Sequence, residues 1–133
     1  MTAVTRLVSL VAVLLFCVAS SVANAAEPTS GYHSCFLTSQ FENWKAPDPK
    51  TIYIRVGLTR YYRLDMSSQC RSLTWPGSFL ITKFRGSNSV CSALDWDIKV
   101  VDGPHGIPIP CIVKTMTELT PAEAAAIPRK FKP

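Results

Sequence analysis

The sequence predicts a mostly β protein: a small antiparallel sheet, barrel or sandwich of five to six strands with a short C-terminal helix and two disulfides. Three observations predict this fold. Short runs of alternating apolar and polar residues recur between turn-forming segments. Ten prolines argue against long helices. Four cysteines beyond the apolar N-terminal run indicate that disulfides supplement a modest core.

The N-terminal 25 residues have the pattern of a secretory signal peptide. Residues 1–6 carry one positive charge, residues 7–22 carry none, and Ala-Asn-Ala at 23–25 is a small-residue exit. The uncharged run is shorter than the roughly 20 apolar residues that a spanning helix needs. We therefore predict cleavage after Ala25, a periplasmic or secreted protein, and no transmembrane segment after cleavage.

The remaining chain is expected to hold one domain. Residues 26–32 are a polar, turn-rich leader, residues 33–128 form the disulfide-stapled β domain, and residues 129–133 are a basic tail. Three of the positive charges lie in that tail, so the basic pI does not indicate a nucleic-acid-binding face. The tail is interpreted as a frayed, solubilising terminus, with contact to anionic lipid or envelope polymer as the alternative.

Alternation locates the strands and turns. The two runs at 51–56 and 61–66 are joined by a short glycine-containing link, which is typical of a hairpin. Prolines at 45–50 predict a turn, and the segment 102–110 predicts a loop. Three further strands are predicted, at residues 78–85, 96–101 and 111–116.

One short helix is expected near the C-terminus. Thr120 and Glu123 have the spacing of a capping box, and Pro121 suits the first turn. Pro128 is expected to stop the helix.

Cleavage removes Cys17 and leaves an even number of cysteines: Cys35, Cys70, Cys91 and Cys111. Three connectivities are possible. We favour Cys70–Cys91 with Cys35–Cys111, because turns on both sides of the 78–85 strand allow its flanking cysteines to approach; the other pairings stay open. The spacing contains no C-x-x-C, so no metal site is predicted, and no cofactor motif is present.

The order of these landmarks resembles a family of small exported bacterial proteins, domain of unknown function 6491. The resemblance covers Cys35 to about Ala126. Its most specific part is the four-cysteine order, and the shorter matching pieces are Trp44, Asp48 before the 51–54 strand, Tyr62-Arg63-Leu64, Leu73, Asp95, Ile112 and Leu119-Thr120-Pro121 with Glu123. The proline-rich 104–110 loop and the basic tail depart from it. The resemblance implies export and a disulfide frame, and it implies no active site.

Few side chains are candidates for chemistry. Asp95 and Asp97 are two apart on a predicted strand, where they share a face and form a candidate carboxylate pair. His105 lies in the 102–110 loop, and His33 lies at the edge of the leader. Each is more simply a polar strand edge or an exposed turn residue, so no catalytic residue is predicted.

Two surfaces are candidates for binding. Tyr53, Tyr61, Trp75 and Phe84 form an aromatic platform if they share an outer face. His105, Ile107 and Ile109 lie in the loop that prolines stiffen.

The sequence therefore favours a non-enzymatic exported binding module of the cell envelope, whose partner is an envelope protein or polymer. The alternative is a small hydrolase that uses Asp95, Asp97 or His105, or an inhibitor of envelope-directed enzymes. No cofactor and no nucleic-acid partner are predicted.

Overall fold

The computed structural model describes residues 35–86 and 88–133. The predicted signal peptide (1–25), the leader (26–32), His33 and Ser87 lie outside the described residues. The described residues form nine strands and one α-helix: β1 (Phe36–Leu37), β2 (Phe41–Asp48), β3 (Thr51–Val56), β4 (Arg60–Met66), β5 (Ser78–Phe84), β6 (Ser89–Val90), β7 (Trp96–Asp102), β8 (Ile109–Cys111), β9 (Val113–Glu118) and α1 (Pro121–Ala126).

The hairpin of β3 and β4 forms where alternation predicts it. Ile54 lies opposite Tyr62, and both side chains are buried while their neighbours along the strands are more exposed. Gly57 turns the chain at a φ of 59°, in the left-handed region that glycine occupies without steric cost. The period of two thus gives the hairpin one apolar face and one polar face.

A four-stranded antiparallel sheet is built around this hairpin, in the order β2-β3-β4-β9. The predicted turn at 45–50 is wrong in extent, because β2 continues to Asp48 and the turn occupies only Pro49 and Lys50. Pro47 is tolerated there because β2 is an edge strand, so its missing N–H removes no hydrogen bond from a central ladder.

A three-stranded antiparallel sheet has the order β5-β7-β8. The last predicted strand is split: the segment from Ile109 to Glu118 pairs with β7 up to Cys111 and with β4 from Val113, and it changes sheet at Ile112. The two sheets are therefore joined along one side by a continuous segment. β1 and β6 form a separate two-residue pair.

One core lies between the inner faces of the two sheets. It contains Ile52, Ile54 and Leu64 from the larger sheet and Ile98 and Val100 from the smaller one, each at most 2 % exposed. Phe36 connects the halves, with ring centroids 5.2 Å from Tyr62 and 6.1 Å from Trp96. Buried and more exposed positions alternate through β3 and along most of β4, whereas in β7 the neighbouring Val100 and Val101 are both buried.

Helix α1 and the residues after it complete the domain. Thr120 Oγ1 accepts a hydrogen bond from the Glu123 backbone N–H at 3.3 Å, and the Glu123 carboxylate accepts one from the Thr120 N–H at 2.8 Å. The predicted capping box is thus confirmed. The terminus is not frayed: Arg129–Phe131 form a 3-10 turn, and Pro133 is buried.

The disulfides join Cys35 to Cys91 and Cys70 to Cys111. The favoured pairing of Cys35–Cys111 with Cys70–Cys91 is therefore wrong. Register explains why: Phe36 lies opposite Val90 in the β1–β6 pair, so the next positions outward bring Cys35 opposite Cys91. Cys70 instead bonds to Cys111, which directly precedes Ile112, the residue where the chain changes sheet.

Two disulfides indicate an oxidising, extracytoplasmic environment. None of the helices within the described residues has the length and apolarity that crossing a membrane requires.

Candidate functional site

The two sheets leave an open seam on the side away from the shared segment. β2 and β5 are the free edges there, and in the described part of the chain they belong to different sheets. Phe41 and Phe84 keep the edges close at one end, with ring centroids 6.4 Å apart. A cleft fills the other end of this seam.

This seam cleft has a volume of about 640 Å³, within the range of small-molecule sites. Four parts of the chain line it: residues 43–47 of β2, residues 73–76, Ser78 at the start of β5, and the terminal pair Lys130 and Phe131. Strands and 3-10 turns hold most of this lining, while Trp75 and Pro76 lie in the short link between the 3-10 turn Arg71–Thr74 and β5.

Aromatic side chains provide the apolar surface of the seam cleft. Trp75 is 51 % exposed, which is unusual for an indole, and it follows the 3-10 turn Arg71–Thr74. Phe131 is half-buried, and Trp44 is partly buried against the core. The site therefore offers aromatic faces to solvent on walls that the core supports.

The polar groups of the seam cleft favour a negatively charged ligand. Lys45 and Lys130 line it, and none of its described lining residues is acidic. The Asn43 side-chain oxygen accepts the Trp44 backbone N–H at 2.8 Å. The hydroxyls of Thr74 and Ser78 donate to the backbone carbonyls of Arg71 and Ser72, so what these hydroxyls have left is the capacity to accept.

Arg55 adds a further positive charge beside the cleft. In register it lies between Asn43 on β2 and Tyr61 on β4. Its Nε atom is buried and has no hydrogen-bond partner in the described residues. The C-terminal segment lies beside both register partners of Arg55. Lys130 lines the cleft with Asn43, and the Lys132 ammonium lies 5.1 Å from the Tyr61 ring centre.

The predicted aromatic platform does not form as one surface. Of its members only Trp75 lines the seam cleft. Phe84 packs against Trp96 with ring centroids 5.1 Å apart, so it contributes to the core edge. Tyr53 and Tyr61 are half-buried on the outer face of the larger sheet, where Tyr53 borders a small cavity with helix α1 and Tyr61 lies under Lys132.

The predicted loop surface is a separate region. Ile107 is 79 % exposed, Ile109 is 44 % exposed, and His105 is exposed beside them. None of the three lines the seam cleft, although Pro108 borders a small cavity of about 170 Å³ on the outer face of β5 and β7. The seven residues predicted for the two binding surfaces thus fall into four places: the seam cleft, the core edge, the outer face of the larger sheet, and the loop.

Asp95 and Asp97 are not a carboxylate pair. Asp95 ends the 3-10 turn Ala93–Asp95, and its Oδ2 accepts hydrogen bonds from the Cys91 and Ser92 backbone N–H groups, both at 2.8 Å. The bond from Cys91, with help from Ser92, holds the pKa of the Asp95 carboxyl below its ordinary value. Asp97 lies in β7 and borders the small cavity with Lys83 and Lys99. The Asp95 carboxylate therefore has a structural role in the turn.

Metal ligation finds no support in the part of the chain that the structure describes. Residues 35–86 and 88–133 contain no group of three or more His, Cys, Asp or Glu side chains that could hold an ion. The cysteines among them are joined in the two disulfides.

Sequence reasoning missed most of the seam cleft. The sequence predicts a turn at 45–50 and a frayed basic tail at 129–133, so it places Lys45, Lys130 and Phe131 in no binding site. One signal was present: an aromatic residue between two lysines at the terminus is amphipathic, and such a segment can pack its ring while its charges stay in water.

The comparisons with known proteins give a family without an activity. A family model described as a family of unknown function, DUF6491, matches residues 1–130. No curated protein and no solved structure matches the chain.

Proposed function

The chain belongs to the DUF6491 family of unknown function, and for this member we propose the role of a non-enzymatic exported binding module of the cell envelope, periplasmic or secreted. One observation carries the proposal: the seam cleft of about 640 Å³ presents the half-exposed ring of Trp75 together with Lys45 and Lys130. Exposed aromatic surface in a concave site is characteristic of ligand recognition.

The scaffold supports this role. The Cys70–Cys111 disulfide fixes the chain just before the 3-10 turn that leads to Trp75. Leu73 within that turn is 4 % exposed and belongs to the core cluster. A rigid site loses little conformational entropy on binding, which favours affinity without a conformational change.

Export is supported by the disulfides and by the N-terminal pattern of residues 1–25, which is typical of a signal peptide. The hydrolase alternative gains no comparable support, since the Asp95 carboxylate accepts hydrogen bonds from two backbone N–H groups.

The test is a map of the ligand-binding surface by NMR. The disulfide-intact protein, labelled with ¹⁵N, is titrated with solubilised cell-envelope material. We expect amide shifts at Lys45, Thr74, Trp75 and Lys130, and we expect Trp75→Ala to reduce the shifts of the other three amides strongly at the same ligand concentration.

Ile107→Ala is the matched control, because it removes an exposed apolar side chain of the separate loop surface. It should leave the cleft shifts unchanged. Shifts confined to residues 103–109, and lost in Ile107→Ala, would transfer the binding site to the loop. No shifts at either surface would overturn the binding role.

A further inference from the structure

We propose that the ligand of the seam cleft is an acidic saccharide chain, recognised by ring stacking on Trp75 and by ammonium contacts from Lys45 and Lys130; this inference rests on the proposed function. It names a chemical class: a glycan whose sugar rings carry carboxylate or phosphate groups.

The charge of the seam cleft favours an acidic ligand. The described lining residues contribute two ammonium groups and no carboxylate. Arg55 does not line the cleft, but it lies opposite Asn43 in register, and its buried Nε has no hydrogen-bond partner among the described residues. A concave site with charge of one sign and low-dielectric walls concentrates the field, and it attracts ligands of the opposite charge.

The hydrogen-bonding groups of the seam cleft also favour an acidic ligand. The oxygen of the Asn43 amide accepts the Trp44 N–H, so the nitrogen of that amide is the group left to donate towards the cleft. With the two lysines, the site is richer in donors than in acceptors. Carboxylate and phosphate oxygens are acceptors only, so they suit this inventory better than neutral groups do.

The aromatic surface of the seam cleft favours a saccharide. The Trp75 ring is 51 % exposed, and Phe131 lines the same cleft. The apolar face of a pyranose ring packs against an indole because both surfaces are flat and because the contact removes apolar area from water. Sugar hydroxyls remain at the ring edge, where Thr74 and Ser78 present acceptor oxygens.

An acidic peptide fits less well, because the exposed edge of β2 is protected against the addition of a strand. The register of β2 is interrupted between Phe41 and Asn43 and again between Lys45 and Asp48. Trp44 donates its N–H to the Asn43 side chain, and Pro47 has no N–H to donate. Bulges, proline and satisfied donors are features that prevent a peptide from pairing with a sheet edge.

Isothermal titration calorimetry with defined probes tests the inference. The probes are a short oligogalacturonate, its fully methyl-esterified form, which differs mainly in charge, and an oligoglutamate of equal charge. We expect the oligogalacturonate to bind and its affinity to fall as salt is raised, since salt screens exposed charges. The methyl ester should bind at least about fourfold more weakly, from the loss of two exposed charge contacts.

Three variants identify the contacts. Lys45→Gln and Lys130→Gln should each weaken oligogalacturonate binding by about two- to fivefold without changing the affinity for the ester. Trp75→Ala should weaken both saccharides by about tenfold, and Trp75→Phe should restore most of the loss. Lys83→Gln is the matched control, because this exposed lysine lies on β5 outside the cleft and should have no effect.

Each contrary result has one meaning. Equal affinity for the methyl ester would refute the acidic class and leave a saccharide site. Equal or tighter binding of oligoglutamate would replace the saccharide with an acidic peptide. If no probe binds while envelope material still shifts the cleft amides, the inference fails and the proposed function stands; if the cleft amides also stay unshifted, both fail.

Discussion

The Asp95 carboxylate accepts a hydrogen bond from the backbone N–H of the disulfide-bonded Cys91, four residues earlier in the chain, at 2.8 Å. Cys91 is bonded to Cys35, and Ser92 donates to the same carboxylate oxygen from its backbone at 2.8 Å and from its hydroxyl at 3.2 Å. One side chain thus stabilises the turn that separates β6 from β7.

Asp95→Ala should lower the free energy of unfolding by about 1–3 kcal/mol, because the mutation leaves two backbone N–H groups without a charged acceptor. Urea denaturation of the disulfide-intact protein measures the change. Asp97→Ala, two residues away on β7, is the control and should change stability by less than about 0.5 kcal/mol. Equal losses in the two variants would contradict the structural role of Asp95.

Acid should destabilise the protein through the same carboxylate. The pKa of Asp95 is lowered by its bond from the Cys91 N–H, and the pKa of Glu123 is lowered by its bonds from Thr120. A carboxyl whose pKa is lower in the folded state contributes stability above its unfolded pKa, about 4. That contribution is lost as the pH falls through the folded pKa.

The melting temperature of the wild type should therefore decline below about pH 4. The decline should be shallower in Asp95→Asn, which cannot ionise at this position. Parallel pH profiles for the two proteins would show that Asp95 has no part in the acid sensitivity.

Reduction should open the disulfides in a fixed order. Cys35 is exposed and Cys91 is half-buried, whereas Cys70 and Cys111 are only 6 % and 5 % exposed. Thiol–disulfide exchange needs access to a sulfur atom, so mild native reduction should open Cys35–Cys91 first. Alkylation followed by peptide mass spectrometry identifies the freed cysteines. Earlier release of Cys70 and Cys111 would contradict the burial argument.

Gly106 allows the chain to pass close to the end of β7. A Cβ atom at this position would lie 2.6 Å from the Asp102 backbone oxygen, closer than real Cβ contacts. Gly106→Ala should therefore displace the 103–108 loop and lower stability by about 1 kcal/mol or more. Hydrogen exchange should rise at Val100, which pairs with Ile109. Pro104→Ala is the loop control and should leave this exchange unchanged.

Arg55 carries a local cost within the sheet. Its Nε is buried and has no hydrogen-bond partner in residues 35–86 and 88–133, and a buried unsatisfied donor costs about 1–3 kcal/mol. Arg55→Met keeps the length of the side chain and removes the donor, so stability should stay equal or rise by about 1 kcal/mol. Thermal unfolding measures this change. A marked loss would mean that the guanidinium stabilises the fold through the contacts that flank it.

The local elements of this protein could be predicted from the sequence, because the information lies within a few neighbouring residues. Alternation assigned the buried faces of β3, β4 and β7, and the spacing of Thr120 and Glu123 assigned the start of helix α1. The error at 45–50 has a non-local cause: proline signals a turn unless the strand lies at a sheet edge, and edge position depends on the rest of the sheet.

The sequence by itself therefore determined the β class, the core faces, the helix cap and an even set of cysteines for two disulfides. Only the tertiary structure decided that Cys35 faces Cys91, that the last strand changes sheet at Ile112, and that Lys45, Trp75 and Lys130 line one cleft. Side-chain alternation is set by the geometry of each strand, but these relationships depend on register between segments far apart in the chain. Long-range register is fixed by the packing of the whole core, which no local pattern encodes.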